Sequence, residues 1–250
     1  MAEKKSSPDN VTLTPAAENA TLERRIVEAG EFQRLAERCS DYNDSRSNSR
    51  DFRGFEIRSA VIKGEDLDNL EAHYSKWIDC TFEGTKFNRL EGHFAEFINC
   101  QFINSSFENS NFSFAVFENV SFINSNLNGA DFPFARGSFK CVNCMMERCT
   151  AQNGQLKLQL ERVNAYRFEA NFAQIELEVK ESNLRCSEFN DGKVSGSVSE
   201  TDMSSAEFCR SDISEFKHEM CAVDGMDTRD AEMDSELDED ILKLLSDDDE

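Results

Sequence analysis

From Ala95 to Leu127 the chain reads "AEFINCQFINSSFENSNFSFAVFENVSFINSNL", with a large apolar residue at every fifth position: Phe97, Phe102, Phe107, Phe112, Phe117, Phe122 and Leu127. A strand repeats its face every two residues and an α-helix every 3.6, so a period of five belongs to a larger unit of chain geometry. The frame runs back through Phe87, Phe82, Trp77, Ile62, Ile57 and Phe52, and forward to Phe132, with only Ala72 and Gly92 undersized. Two residues before most of these centres stands a small side chain, as at Cys80, Ala95, Ser105 and Ala130. Small and large inward positions therefore alternate.

A longer period overlies the first. "LEAHYSKWIDCTFEGTKF" from Leu70 is echoed twenty residues later by "LEGHFAEFINCQFINSSF" from Leu90. Four units of five make one turn, and four short sides make a square coil whose rungs stack at the ~4.8 Å strand spacing. Beyond Phe132 the recurrence shortens to nineteen, in the segments that begin at Leu156, Ile175, Val194 and Ile213. The alternation in "LKLQL" and "IELEV" predicts longer strands there, and Pro133 to Gln155 is expected to be an irregular junction. The prediction is one β-helical domain over residues 51–224, about nine coils and roughly 40 Å long.

The ends have other patterns. Leu22, Ile26, Ala29, Phe32, Leu35 and Cys39 fall at helical spacing, with Thr21 at an N-cap position, so residues 17–40 are expected to form an amphipathic helix that covers one open end of the coil. Residues 1–16 are expected to be disordered and the serine-rich stretch 41–50 to be a linker. Residues 225–250 carry 2 basic and 12 acidic side chains around Leu237, Ile241, Leu242, Leu244 and Leu245. They are expected to be a disordered acidic tail with a short apolar motif able to fold on a partner.

Composition narrows the function classes. A net charge of -22 opposes direct binding to nucleic acid, and no window approaches the length of a membrane span. Nine scattered cysteines without a secretory signal read as reduced thiols, which points to the cytoplasm. Cys141 and Cys144 form a CxxC pair with Cys149 nearby, yet no second pair follows at zinc-site spacing, so they read as small core residues. His73 and His93, twenty apart, stack on one face without a third ligand. No phosphate loop and no catalytic set stands out, so the chain is read as a non-enzyme that needs no cofactor and no metal. Asn99, Asn104, Asn109, Asn119 and Asn124 occupy turn corners, which Asn tolerates. Tyr74, Phe94, Phe114 and Phe134, also twenty apart, lie at another series of corners. Two readings stay open for them: an outward column marking a dimer or partner surface, or side chains folded inward to fill the space beside Ala72 and Gly92.

The units "SNFSF", "AVFEN", "SNLNG", "ADFPF", "SNLRC", "AEFCR" and "SDISE" resemble the pentapeptide-repeat family, whose pattern is a small residue, Asp or Asn, Leu or Phe, then two variable positions. The resemblance implies an all-β, right-handed quadrilateral β-helix with Phe82, Phe87, Phe97 through Phe122, Leu127 and Phe132 in its core. It implies no enzyme. Members serve as interaction modules, secreted bacterial effectors and DNA mimics that bind DNA gyrase. With nearly half of the charge on the tail, the reading favoured here is a protein-protein interaction scaffold. A gyrase- or topoisomerase-directed DNA mimic and an effector are the alternatives.

Overall fold

An extended pair of residues followed by a corner is the local unit, and nearly every corner is made by one residue in the left-handed backbone region. In the computed structural model, which describes residues 25–40 and 50–233, these include Ser59, Asp79, Asn99 and Asn119, with φ between 51° and 54°. Each corner turns the chain by about a quarter. The backbone groups then point along the coil axis and pair with the next rung: the Phe52 N–H donates to Glu71 O at 2.7 Å, and the Glu71 N–H to Arg50 O at 3.0 Å. All the pairing is parallel, and it joins 13 strands into one sheet.

One ladder runs the length of the molecule. It starts with β1 (Arg25–Glu28) and passes through β2 (Phe55–Arg58), β4 (Lys76–Ile78), β6 (Glu96–Ile98), β8 (Val116–Ile123), β9 (Arg136–Val142), β10 (Gln155–Glu161), β11 (Gln174–Lys180), β12 (Lys193–Ser199) and β13 (Phe216–Glu219). From β2 to β13 this is eight turns. A second, shorter ladder joins β3 (Val61–Lys63), β5 (Thr81–Glu83) and β7 (Gln101–Ile103) to β8.

Inward side chains stack on their counterparts one turn away. Phe82, Phe102 and Phe122 are parallel at ring spacings of 5.2 and 5.1 Å, and Phe87 lies over Phe107 at 4.9 Å. Phe97, Phe112, Phe117, Leu127 and Phe132 are buried in the same core. Corner-to-corner contacts are edge-on, as between Phe102 and Phe107 at 88°. Phe97 and Phe102 are each held by two stacked partners and the other rings of these columns by one, with edge contacts besides, the arrangements aromatic pairs prefer.

The irregularity expected over residues 133–155 is confined to one point, opposite Gly137 and Phe139, where the chain changes register. Val116 pairs with Arg136 and Phe117 with Gly137, twenty apart, but Val120 pairs with Phe139, nineteen apart. The next turn has no counterpart of the Asn119 corner, and two faces merge there into the seven-residue strand β9. Gly137 takes the missing angle with φ of 104°, and the Phe139 ring enters the core against Phe117, Phe122 and Phe132. Three corners per turn persist through β12. Lys193 still pairs with Asp212, but Gly196 pairs with Phe216, so the last turn regains its twenty residues and a turn at Ser214–Glu215.

Both ends differ from the expected boundaries. The helix α1 covers Ala29–Ser40 only, because "RIVE" ahead of it pairs with β2 as an extra rung and buries Val27. α1 sets Phe32 into the open end of the coil, edge-on to Phe52, Trp77 and Phe82 at 5.3 to 6.3 Å. At the other end coiling continues beyond 224, since Met226 and Thr228 are buried and Asp212 pairs with Glu232.

Candidate functional site

The fourth face of the coil, which ends at the Tyr74 series of corners, carries two parallel columns. Tyr74, Phe94, Phe114 and Phe134 all have φ between 58° and 60°. The left-handed region costs a bulky residue ~1 to 2 kcal/mol, so four such corners need a reason. Their rings stack in parallel at 5.0, 4.8 and 4.7 Å, with tilts of 1°, 9° and 4°. None of the four belongs to the core: Phe134 is exposed, and the other three are half-buried. The inward reading fails for a packing reason. Leu70 and Leu90 are fully buried where other units hold a small residue, and they fill the space that Ala72 and Gly92 leave. A Cβ on Gly92 would stand 2.8 Å from a Leu90 methyl. Large and small have exchanged places in these two units, and the aromatic corners stay outside.

Three residues before each aromatic corner runs the second column. The rungs pair as Asp51, Glu71, Glu91, Asn111, Asp131, Thr150, Glu169, Glu188, Glu207 and Asp227. Eight of these ten are carboxylates, and nine steps of ~4.8 Å span about 43 Å. All are exposed or half-buried. Like charges on adjacent rungs repel, so the column costs stability. Cations relieve it mainly at its ends: Arg53 bonds Asp51 at 2.6 Å and lies 3.4 Å from Glu71, and Arg229 bonds Asp227 at 2.6 Å. The Arg229 guanidinium holds the Asp227 carboxyl down at about 2, and Arg53 lowers that of Asp51. The twenty-residue period makes the first half of this column visible in sequence, and the nineteen-residue period the second. It is missed when charge is summed by segment instead of by face.

The other residues singled out have plain roles. Between the two columns, His73 and His93 meet edge-on at 4.9 Å, and His93 bonds Glu91 at 3.1 Å. Burial, then His93, lowers the His73 pKa. Cys144 and Cys149 turn their thiols to the carbonyls of Phe122 and Leu127 in the preceding turn, at 3.4 and 3.0 Å. Burial pushes the Cys141 thiol up, and that of Cys149 to about 12, so Cys141 and Cys149 are inert core groups rather than thiolates. Among the described residues no set of three or more His, Cys, Asp or Glu is placed to hold a metal. The amides form ladders: Asn119 donates to Asn99 at 3.1 Å, Asn99 to Asp79 at 2.9 Å, and Asn143 to Asn124 at 3.1 Å. Where the first ladder stops, above the lost corner, a cleft of about 390 Å³ opens, lined by Asn119, Ser138, Lys140 and Lys157. Leu237, Ile241, Leu242, Leu244 and Leu245 lie outside the described residues. No helix among the described residues is long and apolar enough to cross a membrane.

Residues 95–132 match the family model for pentapeptide repeats in 8 copies. They are pentapeptide repeats. The coil continues on either side of that segment with the same ladder. Among the solved structures similar to this chain are QnrB1 and HetL. Full-length QnrB1, a plasmid-mediated fluoroquinolone resistance protein, is 15% identical, with a TM-score of 0.48 over 78% of this chain and 91% of that one. HetL, a pentapeptide-repeat protein involved in heterocyst differentiation regulation in the cyanobacterium Nostoc sp. strain PCC 7120, is 12% identical, with a TM-score of 0.40 over 82% and 94%. No curated protein sequence matches the chain.

Proposed function

We propose that the chain is a non-catalytic protein-interaction scaffold that holds a protein partner on the fourth face of its coil. The observation that carries this is the aromatic ladder. Four stacked rings in unfavourable backbone geometry, outside the core, are better explained by a surface they serve than by the fold they burden. The partner is a second copy of the chain or another protein. The apolar cluster Leu237 to Leu245 belongs to the same proposal as a further contact. A deciding experiment uses the double variant Phe94→Asn/Phe114→Asn, because Asn accepts the corner conformation. Its melting temperature should stay within a few degrees of the parent's, while size-exclusion chromatography shows the self-association, or the pull-down the partner, to be lost. Normal association together with a loss of several kcal/mol of stability would make the ladder structural and end the proposal.

A second reading has its own observation. The acidic column lines the whole length of the rod, at an average of one carboxylate per ~6 Å, against one phosphate per ~3.4 Å along a DNA strand. This supports a DNA-mimicking modulator of gyrase or a topoisomerase more than the charge total did. Inhibition or protection in a supercoiling assay, lost in Glu169→Gln/Glu188→Gln/Glu207→Gln, is the result it requires.

A further inference from the structure

The two columns of the fourth face differ in chemistry but share a repeat. In the N-terminal half they run side by side: Asp51, Glu71, Glu91 and Asp131 in one, Tyr74, Phe94, Phe114 and Phe134 in the other. Because the rings stack on one another, the neighbours cover the faces of the inner rings, which present edges outward, and only the terminal rings keep an open face. Ring edges make apolar contacts and do not attract cations, so basic groups of a partner belong over the carboxylates and aliphatic groups over the rings. A partner must therefore offer two neighbouring ridges, one basic and one aliphatic.

The repeat says what kind of element can do this. An extended strand laid along the coil axis returns to the same face every ~6.7 Å and drifts out of register with rungs ~4.8 Å apart within two steps. An α-helix returns to one ridge every three or four residues, an average of ~5.4 Å, and its adjacent ridge lies about 100° round. Over the four steps from Asp51 to Asp131 the accumulated mismatch is about 2.4 Å, within the reach of a Lys or Arg side chain.

From this we infer that the N-terminal half of the fourth face receives a basic amphipathic α-helix of a partner protein, about 13 residues long and parallel to the coil axis. Its Lys or Arg ridge lies along Asp51, Glu71, Glu91 and Asp131, and its aliphatic ridge along the aromatic ladder. The inference rests on the scaffold reading and adds the chemistry of the partner.

The full-length chain would be titrated with two labelled synthetic peptides of one composition. The first carries Lys at helical spacing with Leu on the neighbouring ridge, and the second alternates Lys and Leu as a strand would. The helical peptide should bind at least about tenfold more tightly and gain helical circular dichroism on binding. Its affinity should fall about tenfold in Glu71→Gln/Glu91→Gln/Asp131→Asn and in Phe94→Asn/Phe114→Asn, yet change less than about twofold in Glu169→Gln/Glu188→Gln/Glu207→Gln. Equal binding of the two peptides, or equal loss in both carboxylate variants, would reduce the contact to unspecific charge and overturn the inference. If the helical peptide does not bind while the Phe94→Asn/Phe114→Asn variant still loses its natural association, the inference fails and the scaffold reading stands. Failure of both sinks both.

Discussion

The coils before Phe132 and those from β9 to β12 solve one problem in two ways. The first turn twenty residues through four corners and fill the enclosed square with Phe; the second turn nineteen through three corners, gain seven-residue strands and fill the interior with Leu, Ile and Val. In β11 the alternation is complete, with Ile175, Leu177 and Val179 inside and Gln174, Glu176, Glu178 and Lys180 outside. The difference teaches that a corner is an independent unit of this fold. Removing one costs one residue, trades a left-handed backbone for continuous ladder, and leaves every other column stacked. Residue count per turn and core composition then follow each other, because a merged face brings three inward side chains where two faces had brought a Phe apiece.

The comparison predicts unequal costs for emptying the two cores. Phe102 is sandwiched between Phe82 and Phe122, and the rigid rings cannot close on the gap, so Phe102→Ala should cost ~4 to 5 kcal/mol. Leu158→Ala, between Phe139 and a Leu177 side chain able to relax into the gap, should cost ~2 to 3 kcal/mol. Denaturant melts measure both, and a larger loss at Leu158 would break the contrast.

The glycines that bracket the three-corner region sharpen it. A Cβ on Gly137 would lie 1.9 Å from Phe117 O, and one on Gly196 2.1 Å from Leu177 O. Either Gly→Ala change should cost about 3 kcal/mol or more, from strain and overpacking together. Gly64, at an ordinary corner with open space around its Cα, should lose only ~1 kcal/mol on the same change. Similar losses at all three sites would mean that the transitions are no tighter than any corner.

The smallest effect concerns the last turn, where four corners return. The Asp227 carboxyl, held at about 2 by Arg229, contributes stability that is present above the ordinary carboxylate range and lost as the pH falls from about 4 towards 2. In Arg229→Ala the Asp227 titration, followed by carboxyl-carbon NMR, should move up into the ordinary range. No movement would show that the pair is not formed.

Periodicity alone marked which side chains point inward, because a coil of fixed residues per turn puts each column at a fixed spacing, and the stack from Phe82 to Phe132 is readable on those terms. It also marked Tyr74, Phe94, Phe114 and Phe134 as one column and the drop from twenty to nineteen. Three things only the assembled coil decided. Whether the aromatic corners fill the gaps at Ala72 and Gly92 depended on Leu70 and Leu90, whose reach into the centre is a matter of packing volume. Where the residue was lost depended on ladder register, since a glycine at φ 104° is one way among several to shorten a turn. That eight carboxylates line up in one column, four of them beside the aromatic ladder, depended on stacking through both periods: residues nineteen or twenty apart are neighbours only once each rung is hydrogen-bonded to the next.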